Sequence, residues 1–236
     1  MAEIPTLNIA WQSPDRVSGL ICGDDALMVY NSLSEQARTG LKYDEPTKTM
    51  IGSTPFAVAN LDVLAQKYGA RTPNLRDLSR PEVMRIAEDK HYIDSRNLVA
   101  RSKIDANYPK NNSLLRTIYE LAEANLGKIG DTPFMIEGFS FDSAPEDKNG
   151  YGLRLVPSDN FRVIQDKRLG GNYDGFKFSE VDELGLPKFS ENGGSRTWWT
   201  RNSGLARLCL GRDLNLFSSN GILASSNDAG RVVFLK

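Results

Sequence analysis

The chain has few of the residues on which most metal and covalent chemistry depends. Its 236 residues include two cysteines, Cys22 and Cys209, and one histidine, His91. A structural zinc site needs several Cys and His residues at short intervals, and a disulfide framework needs more cysteines than two. We therefore expect no metal site and no disulfide framework. We interpret both cysteines as buried, reduced thiols, with a single bridge or a reactive pair as the alternative.

The sequence also lacks net charge and long apolar runs. Lys and Arg total 29 against 30 for Asp and Glu, so the net charge of -1 attracts neither nucleic acid nor an anionic membrane. No apolar run approaches the roughly 18 residues that a membrane-spanning helix needs. The start, MAEIPTLNIAWQSPDR, lacks the basic and apolar regions of a signal peptide. These absences predict cytoplasmic synthesis, no general nucleic-acid binding and no membrane insertion.

Neither common phosphate-binding motif is present. GxxxxGK[ST] is missing, and so is GxGxxG in a strand-to-helix setting, so we expect no nucleotide chemistry and no cofactor. His91 lies among acidic residues in EDKHYIDS and could act as a general base with Asp94 or Glu88. The favoured interpretation of this segment is a solvated helix end, because no spacing supports a Cys-His or Ser-His pair.

One loop offers oxygen ligands of the kind that calcium accepts. The segment FDSAPEDKNGYG carries Asp142, Glu146, Asp147 and Asn149. It lacks the spacing and the bidentate glutamate of an EF-hand, so an ordinary acidic turn is the favoured interpretation.

What the sequence does contain is a helical pattern followed by a strand pattern. Helices are predicted at about 25–38, at 55–68, from Pro81 onward and over NNSLLRTIYELAEANLGK. The second has the clearest ends, because Thr54 can cap it, Pro55 suits the first position and Gly69 can end it. From about residue 130, short β-prone runs alternate with turn signals such as DKNG, ENGG and SNDAG.

These patterns predict an α+β protein with a helical N-terminal half and an antiparallel β-rich C-terminal part. The predicted strand runs are PFMIEGFSF, YGLRLVP, FRVIQ, YDGFKF, RTWWTR, LARLCLG, LNLFSS, GILAS and RVVFLK. No low-complexity linker divides the chain. We therefore expect one domain over residues 21–236, preceded by an N-terminal arm of residues 1–20.

The adjacent tryptophans in RTWWTR bear on function. Neighbouring side chains on a strand face opposite sides of the sheet, so one of Trp198 and Trp199 is expected in the core and the other exposed, and a purely structural role for both is the favoured interpretation. Arginines alternate with apolar residues around them, and aromatic and guanidinium surfaces recur in glycan, nucleic-acid and protein recognition.

Residues 193–236 resemble the closing strands of the C-type-lectin-like fold of bacterial and phage proteins. The residues that carry this resemblance, in order, are Trp198, Trp199, Arg201, Ser203, Gly221, Gly230 and Arg231. The helix at 55–68 and the turn after it resemble an earlier part of the same fold, through Gly69, Arg71, Thr72, Pro73, Leu75 and Asp77. Where the family usually has Glu-Trp, this chain has Asp77-Leu78.

The resemblance implies a ligand-binding protein. Members of the family include formylglycine-generating enzymes, sugar- or protein-binding adhesins, and variable receptor-binding proteins of phages and diversity-generating retroelements. The enzymes depend on a pair of copper-binding cysteines, and Cys209 has no such neighbour. If the family geometry holds, the binding face lies between about Asn192 and Asn227, with the candidate residues Arg196, Trp199, Arg201, Asn202, Arg207, Arg212, Asn220 and Asn227.

We therefore expect a non-enzymatic recognition module that binds a protein or glycan surface ligand as a virion or surface-assembly component. One alternative is an architectural virion subunit without a ligand, which would assemble with copies of itself or with a neighbouring subunit. The other is a hydrolytic enzyme that uses the His91 region.

Overall fold

The structure is a computed structural model that describes residues 9–11, 18–171, 175–190 and 193–236. Within those ranges the chain forms a mixed α+β fold. Its helices are α1 (Gly23–Ser32), α2 (Pro55–Gln66), α3 (Pro81–Glu88) and α4 (Asn112–Leu126). Short 3₁₀ turns occur at Asp77–Ser79, Pro109–Asn111 and Lys167–Leu169.

The largest sheet has nine strands. Eight of them lie in the order β7 (Leu153–Gln165), β6 (Phe134–Ser143), β5 (Tyr92–Ala100), β11 (Leu205–Leu210), β12 (Leu216–Phe217), β10 (Arg196–Trp199), β8 (Phe176–Val181) and β9 (Pro187–Phe189). The ninth, β13 (Gly230–Arg231), pairs with β5. Neighbours are antiparallel, apart from the parallel pairs β10–β12 and β13–β5.

Two small sheets complete the described fold. One contains β1 (Ile9–Trp11), β2 (Ser18–Ile21) and β14 (Phe234–Leu235), so that both ends of the described chain meet in it. The other is the hairpin of β3 (Lys42–Asp44) and β4 (Thr49–Ile51). The expected arm of residues 1–20 therefore includes paired segments, and its residues 1–8 and 12–17 lie outside the described part.

The expectation of a helical N-terminal half is wrong. The strands are distributed through the whole chain, and β5, the longest strand of the first half, lies inside the large sheet. Its side chains are buried on both faces: Leu98 belongs to one apolar cluster and Val99 to the other. A strand buried on both faces has no alternation of polar and apolar residues, so β5 gave no strand pattern in the sequence.

The helix predictions are confirmed where the end signals are strong. The hydroxyl of Thr54 accepts a hydrogen bond from the Ala57 N–H at 3.3 Å, as predicted for the start of α2. Gly127, which follows α4, has a φ of 79°, a conformation that glycine adopts without strain. The first helix is shorter than predicted, because Leu33 is extended and the Arg38 N–H then bonds to the Ser34 carbonyl in a separate turn.

Two strand predictions need correction. YGLRLVP and FRVIQ form one strand, β7, which runs through Pro157; an edge strand tolerates a proline because its outer N–H groups have no partner strand. GILAS forms no strand, and the Ser225 N–H instead closes a turn on the Ile222 carbonyl at 3.1 Å.

The core consists of two apolar clusters on opposite sides of the large sheet. One packs α1, α2 and α4 against β5, β6 and β7. The other packs α3 against β8, β10, β11 and β12, with Trp198 at its centre. On the face of β5 that carries Leu98, Arg96 forms an ion pair with Asp62 of α2 at 2.6 Å. Tyr92 lies further along the same face, where the sheet opens into a cleft.

Candidate ligand-binding face

Two of the predicted binding residues are buried arginines with structural partners. Arg201 is 1% exposed and forms an ion pair with Asp105 at 3.0 Å, and its guanidinium lies over the ring of Tyr108. Asp105 also accepts hydrogen bonds from the backbone N–H groups of Tyr108 and Leu205 and from the side chain of Asn111. Arg201 therefore fixes the loop before α4 against β11.

Arg196 also lies beneath the surface. Its Nε donates to the Leu214 carbonyl at 2.7 Å and its Nη1 to the Ser79 hydroxyl at 3.0 Å. Its guanidinium lies over the ring of Phe178. Burial lowers the pKa of Arg196 to about 10, because the charged form has lost solvent contact. These contacts hold β10 against the 3₁₀ turn at Asp77–Ser79.

Arg207 differs from these two because it lines a cleft. The cleft has a volume of about 460 Å³ and its walls are Tyr92, Arg207, Cys209, Gly211, Arg212, Asp213, Phe217 and Asn220. We call it the Arg207 cleft. Strands β5, β11 and β12 contribute its floor, and the loops that follow β11 and β12 form its rim.

The pairing of β5 with β11 positions the base of the cleft. Its register shifts between Arg207 and Cys209, so Asp94 lies opposite Cys209 while Arg207 lies opposite Leu98. Nη1 of Arg207 donates to the Ser225 carbonyl at 2.8 Å and meets Oδ2 of Asp94 at 3.4 Å. The guanidinium also lies 5.4 Å from the ring centroid of Tyr92. Arg207 is therefore held from three sides.

Two atoms of this base lack a partner. Nε of Arg207 and Oδ1 of Asp94 are buried and make no hydrogen bond within the described part of the chain. Buried polar atoms are normally paired. Arg96, Arg196 and Arg201 each have one unpartnered nitrogen as well, but among the described residues only this pair has an unpartnered atom on both the arginine and the carboxylate. Burial also raises the pKa of Asp94, more than the attraction of Arg207 and a hydrogen bond with Ser53 lower it.

Aromatic rings adjoin the cleft. The parallel pairing of β10 with β12 places Trp199 beside Phe217, and their rings lie 8° from parallel with centroids 6.4 Å apart. Trp198 faces the opposite side, is fully buried and donates from Nε1 to the Arg168 carbonyl at 2.7 Å. The expectation that one tryptophan lies in the core is confirmed by Trp198, whereas Trp199 is half-buried rather than exposed.

The remaining candidates occupy different places. Arg212 is exposed and Asn220 half-buried at the rim of the Arg207 cleft. Asn227 is exposed beside it, with its N–H bonded to the Tyr92 hydroxyl at 3.3 Å. Asn202 lines a separate pocket with Arg101 and Phe176. Asn192, where the predicted face begins, lies outside the described residues.

The structure thus brings Arg207, Arg212 and Asn220 together in the lining of the cleft. Trp199 lies beside the cleft, where its ring stacks with that of Phe217. Sequence reasoning missed the cleft residues Tyr92, Cys209, Asp213 and Phe217, as well as Asp94 beneath them. The available signal for Asp94 was an acid inside the segment YIDSRNLVA, which was assigned a role only in the alternative in which His91 acts as a general base.

The groups of the hydrolytic alternative are not assembled. Nδ1 of His91 is buried without a hydrogen-bond partner in the described part of the chain, and burial together with the charge of Arg231 lowers the pKa of His91. Glu88 is exposed, and Asp94 contacts Arg207. Neither acid forms a hydrogen bond or ion pair with His91 among the contacts of the described residues.

The acidic loop at residues 141–152 is built as a turn. The Asp147 N–H bonds to the Ala144 carbonyl at 2.9 Å, and Asp142 lies 3.6 Å from Arg154. Over the described ranges, no three or more His, Cys, Asp or Glu residues are grouped so that they could hold a metal ion. Over the same ranges, none of the helices combines the length and apolar character that crossing a membrane requires.

Comparisons with protein-family models, curated proteins and solved structures found no match for this chain. The resemblance to C-type-lectin-like proteins therefore stays a prediction.

Proposed function

We propose that this protein is a non-enzymatic binding module that holds a protein or glycan surface ligand in the Arg207 cleft. The observation that carries the proposal is the combination, at one open place on the sheet, of a buried guanidinium with an unpartnered Nε and a neighbouring aromatic pair. Concave sites with a few convergent polar groups and aromatic walls are the usual form of ligand sites.

The cleft supplies groups suited to binding. Arg207, Arg212 and Asn220 offer N–H donors, and Phe217 offers an apolar ring face. A ligand with both polar groups and an apolar face can satisfy all of these at once.

The same groups are poorly suited to nucleophilic catalysis. Burial raises the pKa of Cys209 to about 12, so its thiol stays protonated at neutral pH, and the thiolate is the nucleophilic form. The described cleft lining contains no histidine that could act as a base for it. Binding without turnover therefore fits the lining better than acyl or phosphoryl transfer.

A virion or surface assembly is the setting that we propose for this module, on the strength of the resemblance of residues 193–236 to phage proteins. A second candidate function, an architectural subunit, is favoured by one observation. Phe176 of β8 and Phe189 of the edge strand β9 are 37% and 42% exposed and pack together, with ring centroids 4.9 Å apart. An apolar pair on a sheet edge is suited to contact with another subunit.

The test is a screen of the purified chain on glycan and protein arrays, followed by affinity measurements on two aromatic variants. Trp199→Ala should weaken binding of the identified ligand by about 1–4 kcal/mol, the range of an interface hot spot. The matched control, Phe189→Ala, removes a ring outside the cleft and should leave the affinity unchanged.

Light scattering on the same samples separates the two candidates. A binding module retains its ligand whatever its oligomeric state. A fixed oligomer that dissociates in Phe189→Ala, in a protein that binds nothing on the arrays, would support the architectural subunit and contradict the binding module.

A further inference from the structure

The buried base of the Arg207 cleft holds a guanidinium that is incompletely paired. Arg207 is 7% exposed, and its ion pair with Asp94 consists of a single contact at 3.4 Å. A well-formed pair of this type makes two parallel N–H···O bonds at about 2.7–2.9 Å. Here Nε of the guanidinium and Oδ1 of the carboxylate lack partners within the described part. Asp94 therefore uses little of the binding capacity of Arg207.

Burial affects the two charges unequally. It opposes ionisation of both, but the attraction of Asp94 keeps the pKa of Arg207 above its ordinary value, so the guanidinium remains charged. For Asp94, which is fully buried, burial is the dominant effect and raises the pKa. Asp94 is therefore harder to ionise than an exposed carboxyl group, whereas the guanidinium of Arg207 stays charged.

The rim of the cleft adds further hydrogen-bond donors, which suit an anionic ligand group. Arg212 is exposed and supplies a second guanidinium. The carboxylate of Asp213 accepts from the N–H and the side-chain amide of Asn215, at 3.2 and 2.7 Å, so both of its oxygens bond within their own turn. Oδ1 of Asn220 accepts from the Ile222 N–H at 2.8 Å, which leaves its Nδ2 available to donate.

We propose that the ligand enters the Arg207 cleft with a carboxylate group, which Arg207, Arg212 and Asn220 bind, and lays an adjoining ring or chain against Phe217. The inference rests on the proposed function and specifies its ligand. An acidic sugar and an acidic amino-acid side chain share this chemistry, and the experiment separates these two sources.

The experiment is a titration of the ¹⁵N-labelled full chain, followed by NMR. The acidic probes are glucuronate and N-acetylglutamate, and their neutral counterparts are glucose and N-acetylglutamine. We expect at least one acid to shift amide resonances of residues 207–217 and 220 at millimolar concentration, with weaker binding at higher salt. The acid that binds identifies the source. Equal shifts with the neutral counterpart, or no shifts with either acid, would overturn the inference.

Two variants sharpen the result, each measured with the acid that binds. Asp94→Asn removes the competing carboxylate with little change of shape, and should tighten binding of the acid about tenfold, as expected for removal of a nearby like charge. Arg212→Ala, at an exposed position that should not affect folding, should weaken it about fivefold to tenfold. Arg154→Ala, an exposed arginine on the edge strand β7, is the matched control and should change nothing.

The outcomes separate a failure of the carboxylate inference from a failure of the proposed binding function. If an array ligand binds through Trp199 but is insensitive to both Asp94→Asn and Arg212→Ala, the carboxylate inference is overturned and the binding module stands. If Trp199→Ala leaves the affinity of every ligand unchanged, the binding module itself is contradicted.

Discussion

Two buried arginine–aspartate pairs lie before and within β11, and they differ in how completely the carboxylate is bonded. Nε of the arginine lacks a partner in both pairs, within the described part of the chain. In the pair of Arg201 with Asp105, the carboxylate accepts four hydrogen bonds, including one from Leu205 at the start of the strand. In the pair of Arg207 with Asp94, one long contact joins the partners and one atom of each is unpaired. The first pair therefore has the contacts of an ion pair that stabilises the fold. The second pair has atoms that could form further hydrogen bonds, and it lies beside an open cleft.

The largest expected effect is on the pair of Arg201 with Asp105, in which the carboxylate is fully hydrogen-bonded. Asp105→Asn should lower the free energy of unfolding by about 3–5 kcal/mol, because it leaves the buried charge of Arg201 without its counter-ion. Urea unfolding followed by circular dichroism measures this change. A loss below about 1 kcal/mol would show that Asp105 is not essential to this loop.

A third buried carboxylate, that of Asp77, is expected to have an intermediate effect on the free energy of unfolding. Burial alone would raise the pKa of Asp77, but hydrogen bonds from Arg71 and from the backbone of Asn74 lower it below its usual value. A lowered pKa stabilises the fold above the unfolded value of 3.8, and that contribution disappears as the pH falls through the lower folded value.

Asp77→Asn tests this case. It should cost about 1–3 kcal/mol at neutral pH, the range for hydrogen bonds to a charged group. The difference from wild type should shrink as the pH falls below the folded pKa, which unfolding curves at several pH values would reveal. A difference that does not vary with pH would contradict the assignment.

The smallest stability effect is expected at the unsatisfied pair. Asp94→Asn should change the free energy of unfolding by about 1 kcal/mol or less at neutral pH, because the carboxylate that it removes is desolvated and makes only one long contact with Arg207. Arg207 keeps its hydrogen bond to the Ser225 carbonyl and its contact with the Tyr92 ring, and it adjoins the open cleft. The pKa of Asp94 is raised, whereas that of Asp77 is lowered, so the two groups affect the pH dependence of stability in opposite directions. Ionisation of Asp94 lowers the free energy of unfolding as the pH rises through its folded pKa. The stability of Asp94→Asn relative to wild type should therefore increase with pH over that interval.

The sequence was informative where local signals decide the structure. Thr54 and Pro55 predicted the start of α2 because capping is a contact within one turn of helix. The strand β5 was missed because it is buried on both faces and contains Asp94 and Asn97, whose polar side chains interrupt any apolar run. Its identity depends on the strands on either side of it, which no local pattern shows.

The sequence predicted which types of residue form the candidate site, but not which individual residues line it. Arginines among strand residues were visible in the sequence, but their exposure depends on distant partners: Arg201 meets an acid 96 positions away. Trp199 was correctly separated from Trp198 by the alternation of a strand. Its stacking on Phe217 follows from the parallel pairing of β10 with β12, which the sequence does not indicate.

The comparison of the two pairs is tested most directly by titration calorimetry of Asp94→Asn with the ligand found on the arrays. The account predicts a severalfold or larger change in affinity, toward tighter binding for an acidic ligand, with a change in unfolding free energy of about 1 kcal/mol or less. An unchanged affinity together with a loss of about 3 kcal/mol or more would contradict it, because Asp94 and Arg207 would then be a structural pair like Asp105 and Arg201.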